Sequence, residues 1–174
     1  MTQTVLFKAL VAMLFALWHA AAPGVERQRD AREIAEAIAT AVIEDGQRTP
    51  ILSSHAEDAA VAGYYAMRES WLDLDAVGDG GRSRGAWQLQ GSAGRAPAVD
   101  QARAWLALMH RGARDCRDSP RAGQAPAPAT AYAWGVCHAL DSLRTGHDIA
   151  ELARRREQRA RRLLQRVLTT LFAD

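Results

Sequence analysis

The residue with the most chemical promise is Glu69, which has Tyr64 and Tyr65 about one helical turn before it and Trp71 and Leu72 just beyond. A carboxyl group packed among apolar rings is desolvated and keeps its proton more readily. A protonated carboxyl can hand that proton to a leaving-group oxygen, as glycoside cleavage requires. Taken alone, a glutamate at a helix end is ordinarily a solvated surface residue. A second carboxylate would permit hydrolysis with inversion, for which two carboxyls stand ~6.5–9.5 Å apart with water between them. Asp73, Asp75 and Asp79 are the candidates, and Asp79 is favoured because it sits at the tip of a glycine-rich turn. Against that role, turn aspartates usually hydrogen-bond their own backbone. Trp71, Trp87, Trp105 and Trp134 are candidates for stacking on sugar faces or for the core. Trp87, beside Gln88, has the best claim to a groove. Arg82 and Arg84 flank the turn, suited either to ligand carboxylates or to a solvated loop.

These residues need a scaffold, and hydrophobic spacing supplies its outline. Ala31, Ile34, Ile38, Ala41 and Val42 line one face of a helix expected over Glu26 to Asp45, with Gly46 as its stop. A loop over Gln47 to Ser54 leads to a second helix from about Glu57 to Ser70, weakened by Gly63. Gly78-Asp79-Gly80-Gly81 lies between Ala76-Val77 and Ala86-Trp87-Gln88-Leu89, which predicts a small hairpin. Val99, Ala102, Leu106 and Met109 define a third helix over Val99 to Arg111. Ser119 to Thr130 is a Pro/Ala loop, Ala131 to Leu143 a fourth helical segment interrupted by Gly135, and Asp148 to Phe172 a last helix. The fold class expected is mainly α, with one small β-hairpin.

The ends and the cysteines leave alternatives open. Val5 to Ala22 is apolar apart from Lys8 and His19, the outline of a secretory signal, although Pro23 and His19 make a poor cleavage site. The segment is also marginally long for a membrane anchor, and a buried first helix is the third reading. Residues 1–22 are therefore expected as a signal or anchor, and residues 26–174 as the domain. Cys116 and Cys137 form either one disulfide or two buried thiols. Zinc on Cys116, Cys137, His110 and His138 lacks the usual ligand spacing, so no metal is expected. Glu151 to Arg166 carries seven arginines, but Ala160, Leu163, Leu164, Val167, Leu168, Leu171 and Phe172 fall on one helical face. A docked helix with a solvated arginine face is favoured over a nucleic-acid or lipid binder. At 174 residues, 48% hydrophobic and 24% charged, the chain is one domain's length with an ordinary globular composition. A net charge of +2 does not point to nucleic acid.

The segment from Glu69 resembles the catalytic signature of the lytic transglycosylase and goose-type lysozyme families. There a Glu-Ser pair closes a helix, a short hairpin follows, and Gly-x-x-Gln ends it. Here these are Glu69-Ser70, then Ala76-Val77, then Gly85-Ala86-Trp87-Gln88. The families' later Ala-Tyr-Asn-x-Gly motif is echoed by Ala131-Tyr132-Ala133-Trp134-Gly135, with Ala133 in the asparagine's place. The hairpin is about one residue longer than is usual in the transglycosylases. The resemblance implies a lysozyme-like α+β fold with the hairpin beside the active-site groove. It implies cleavage between N-acetylmuramic acid and N-acetylglucosamine in peptidoglycan, with Glu69 as the single catalytic acid. Ser70 and Gln88 would hold Glu69 and the sugar, Gly85 would let the hairpin backbone approach closely, and Tyr132 would place its hydroxyl near Glu69. No cofactor is implied. Peptidoglycan strands would be the partner of a monomeric, extracytoplasmic enzyme, bacterial or phage-encoded. The departures keep two alternatives in view: an inactive lysozyme-fold module that binds glycan or protein, and a hydrolase using Asp79.

Overall fold

The protein is described here from a computed structural model, which covers residues 2–46, 50, 54–117 and 146–171. Among these residues the chain is mainly helical, with five α-helices and one small antiparallel sheet. Helix α1 is Gln3–Ala21, α2 is Ala31–Asp45, α3 is His55–Ser70, α4 is Ala98–Arg117 and α5 is Gly146–Leu171. The strands β1 (Val77–Gly78), β2 (Ser83–Arg84) and β3 (Leu89–Gln90) lie between α3 and α4 in the order β1-β2-β3.

Helix α1 is formed by the segment expected as a leader, an anchor or a core helix. Leu10, Met13, Leu14, Leu17 and Trp18 are buried at the three-and-four spacing of one face, while Val5, Lys8, Ala9 and Ala12 are exposed. The buried face packs on α2, α3 and α5. The second helix starts later than Glu26. Gly24 is left-handed (φ 97°), and Glu26 accepts from the Gly24 backbone N–H at 2.8 Å, which makes a short 3-10 turn at Val25–Arg27. Asp30 then precedes α2, accepting from the Arg29 guanidinium on both carboxylate oxygens and from the Leu74 backbone N–H on one of them. The arginine and that amide hold its carboxyl below the usual range.

Helix α3 is the centre of the molecule. Ser54 caps it by accepting from the Glu57 backbone N–H at 3.2 Å. Two indoles grip its middle: Trp87 donates to the Ala62 carbonyl at 3.0 Å and Trp18 to the Gly63 carbonyl at 2.9 Å. A carbonyl oxygen has two lone pairs, so each can accept an indole proton without giving up its helical bond. Gly63 looks like a weakness in the sequence and is a packing requirement in the fold. A Cβ there would lie 2.5 Å from Leu14 Cδ2. At its far end α3 stops when Trp71 and Leu72 both turn left-handed, at φ 57° and 61°. Such non-glycine residues are strained, and the buried Leu72 side chain anchors the turn.

The sheet holds two hairpins rather than the one expected. Val77 pairs with Arg84 and Gly78 with Ser83, and then Ser83 pairs with Gln90 and Arg84 with Leu89. The second turn is tight because Gly85 is left-handed (φ 76°) and lies against Gln101, whose side-chain oxygen a Cβ would meet at 2.1 Å. That Gln101 oxygen accepts from the Ala86 backbone N–H at 3.1 Å, tying the hairpins to α4.

Helix α5 docks on α1 and α3 through Ala160, Leu163, Leu164 and Val167, and Arg155, Arg159, Arg162 and Arg166 are exposed. Two charged residues are nevertheless turned inward. Arg156 is one, described below. The other is Glu157, buried against α3 and paired with Arg161 at 3.1 Å. Burial pushes its carboxyl above the usual range, and Arg161 offsets only part of this. A raised folded-state value means that the folded chain loses stability as pH rises from the unfolded value, as Glu157 is forced to ionise. Glu157→Gln removes that charge. We expect a higher melting temperature than wild type at pH 7, with the gain shrinking as pH falls towards 4.5, the carboxyl's ordinary value. Scanning calorimetry across that range checks it, and a gain that grows in acid would contradict the argument.

Candidate functional site

Glu69 lies in the last turn of α3, with its side chain 31% exposed. A carboxylate at a helix C-terminus faces the negative end of the macrodipole and calls for a cationic neighbour. The chain supplies one from 87 positions away: Arg156 Nη1 of α5 donates to Glu69 Oε1. The same guanidinium lies over the Tyr65 ring, 5.7 Å from its centroid. Tyr65 is buried one turn before Glu69, in contact with Trp105 at 5.8 Å between ring centroids. Burial pushes its phenol up, so it is neutral at all ordinary pH. Glu69, Arg156 and Tyr65 therefore form one cluster at the junction of α3 and α5, at the end of α3 from which the chain leaves for the sheet. Glu69 is thus ion-paired and partly exposed, not enclosed by apolar rings as its sequence neighbours predict, because Trp71 turns outward and α5 brings an arginine to it.

Trp71 follows directly and is 57% exposed. Here the structure corrects the sequence-based expectation, which favoured Trp87 for a groove. Trp87 is 2% exposed and gives its N–H to α3, whereas the left-handed turn at Trp71 directs that indole outward. Trp105 is buried as well, and Trp134 lies outside the described residues.

The other predicted site residues are engaged locally. Ser70 donates to the Ala66 carbonyl at 2.9 Å and accepts from the Asp73 backbone N–H at 3.2 Å, which shapes the end of α3. Gln88 donates to the Gly85 carbonyl at 3.0 Å and to the Ala76 carbonyl at 3.4 Å, binding the hairpins together. Gly85 makes its close approach to Gln101. Asp79 Oδ2 accepts from the Ser83 hydroxyl at 2.6 Å, a local bond across the turn to a side chain rather than to the backbone partner expected. Arg82 bonds the Asp79 carbonyl. Arg84 turns to a cleft of about 460 Å³ that it shares with Glu33, Asp75, Arg95 and Gln101; Glu69 is not part of that lining. His110, weighed as a zinc ligand, faces Asp45 at 2.5 Å. Tyr132, Ala133, Cys137 and His138 lie outside the described residues, as does the Cys116 side chain.

Arg156 is the residue that the sequence reading missed. In a run of seven arginines nothing marks it by type. Its position does: Arg156, Ala160, Leu163, Leu164 and Val167 follow the spacing of the buried stripe, so an arginine stands where the pattern calls for an apolar residue. Comparison with protein-family models, with curated proteins and with solved structures returns no match for this chain.

Proposed function

We propose that this chain is a lysozyme-like, peptidoglycan-cleaving lytic transglycosylase in which Glu69 is the only catalytic carboxyl. The observation that carries this reading is the placement of Glu69: half-buried, at the end of the central helix, and followed directly by the small sheet. The Glu-Ser and Gly-x-x-Gln resemblance supports it independently.

In the reaction, the Glu69 carboxyl protonates the oxygen between N-acetylmuramic acid and N-acetylglucosamine, and the C1–O bond breaks with its electron pair passing to that oxygen. The muramic C6 hydroxyl then attacks C1 and returns its proton to Glu69, leaving a 1,6-anhydro end. A single carboxyl acts first as acid and then as base, so the cycle needs no second carboxylate and no cofactor. The Ser83 bond to Asp79 favours this over a hydrolase that uses Asp79. Among the described residues Trp71 is the exposed tryptophan available to a sugar face. Because peptidoglycan lies outside the cytoplasmic membrane, the enzyme acts there, as a monomer.

One observation favours a second reading, a lysozyme-fold module that binds glycan without cutting it. Ala133 replaces the family asparagine. Digestion of purified sacculi by the full chain, with the soluble products weighed, separates the readings. Fragments one water lighter than hydrolytic products are expected. Reducing ends would transfer the role of second carboxylate to Asp79, and binding with no release would establish the non-cutting module.

A further inference from the structure

We infer that Arg156 is a positioning residue for Glu69, holding one carboxylate oxygen so that the other faces the glycosidic bond. This rests on the proposed role of Glu69. The contact is one-sided: Arg156 Nη1 engages Oε1, and among the described residues no hydrogen bond is made to Oε2. Proton transfer needs one oxygen free and correctly aimed, and a guanidinium on the other fixes the rotation of the carboxyl group.

Arg156 is itself fixed. Its planar head rests on the Tyr65 ring, and that ring is held by burial and by Trp105. The Arg156 Nε is buried and has no hydrogen-bond partner among the described residues. A stability role alone explains this poorly. Apolar residues in place of both Arg156 and Glu69 would continue the packing of α5 on α3, and replacing both members of an ion pair in this way is often neutral or stabilising. The guanidinium has a chemical use. When the proton passes from Glu69 to the glycosidic oxygen, the carboxylate left behind is met by a cation already in place, with no reorganisation at the moment of reaction. When the C6 hydroxyl returns its proton, the same contact keeps the accepting oxygen aimed. The effect belongs to the chemical step and not to substrate binding.

The experiment uses the full chain and peptide-free glycan strands prepared from peptidoglycan. It compares wild type, Glu69→Gln, Arg156→Ala, Arg156→Lys and Arg156→Met, with kcat, KM and melting temperature measured for each. Arg156→Met keeps the stripe apolar and guards against a variant that fails to fold. For Arg156→Ala and Arg156→Met we expect kcat lower by about 100-fold, the scale of losing one electrostatic group aimed at developing charge, with KM little changed. Arg156→Lys keeps the charge without the fork and recovers part of the loss. Added guanidinium at a non-denaturing concentration restores part of the Arg156→Ala rate, which a purely structural role would not allow. If wild type cuts and Glu69→Gln does not, but Arg156→Met retains wild-type kcat or changes KM alone, this inference is overturned and the role of Glu69 stands. If wild type releases nothing, or Glu69→Gln cuts normally, the role of Glu69 fails and this inference fails with it.

Discussion

Glu69→Gln is expected to stop the release of soluble fragments from sacculi while leaving the fold intact. Glutamine has nearly the same shape and retains a side-chain oxygen for Arg156, so the junction of α3 and α5 stays formed. It has no acidic proton to give. A positioned general acid typically accounts for about 10²–10⁴ in rate, and in the proposed mechanism the same group also serves as the base. The loss should therefore reach the detection limit of the assay. The melting temperature should move little, corresponding to about 1 kcal/mol or less for a side chain that is not in the core. Turbidity loss of sacculi and a thermal melt on the same preparation make the check. Undiminished lysis would remove Glu69 from the mechanism, and a collapsed melt would show its role to be structural.

Removal of residues 1–22 is expected to abolish cooperative folding. The deletion takes away Leu10, Met13, Leu14, Leu17 and Trp18, all buried in the same core as α2, α3 and α5. At roughly 1.5–3 kcal/mol for each large apolar side chain, the five together rival the whole stability of an ordinary domain, ~5–15 kcal/mol. The deletion also removes the Trp18 indole from the Gly63 carbonyl and opens a hole over Gly63, whose missing side chain makes room for Leu14. Circular dichroism during heating should show a sigmoidal transition for the full chain and none for the truncated one. If the truncated protein melts cooperatively, α1 is dispensable to the fold and acts as a leader or anchor. The result bears on export as well. If α1 proves necessary to the fold, its cleavage would unfold the chain, and the proposed action on peptidoglycan would require another route of export.

Much of the fold was legible because the signals are local. The apolar spacing of Ala160 to Val167 places the last helix within two residues of its observed bounds, and that of Ala31 to Val42, with Gly46 after it, places the end of α2. The start of α2 was misplaced because Glu26 satisfies the Gly24 amide, a contact that no periodicity encodes. The single hairpin became two because Ser83-Arg84 pairs on both sides. A two-residue strand carries too little alternation to be seen in sequence.

The site divides along the same line. Glu69 at a helix end, the glycine-rich turn and the Gly-x-x-Gln after it are short-range features, and the sequence by itself determined them. Which tryptophan faces outward and which carries the core was decided by the left-handed turn at Trp71 and the Trp87 bond to α3. The meeting of Arg156 with Glu69 was likewise decided only by tertiary structure. Seven arginines on one helix are chemically equivalent until packing turns one of them inward, and its partner is 87 residues away. Helical periodicity can say that a residue lies on the buried face, but the docking of α5 against α3 selects the carboxylate it meets there.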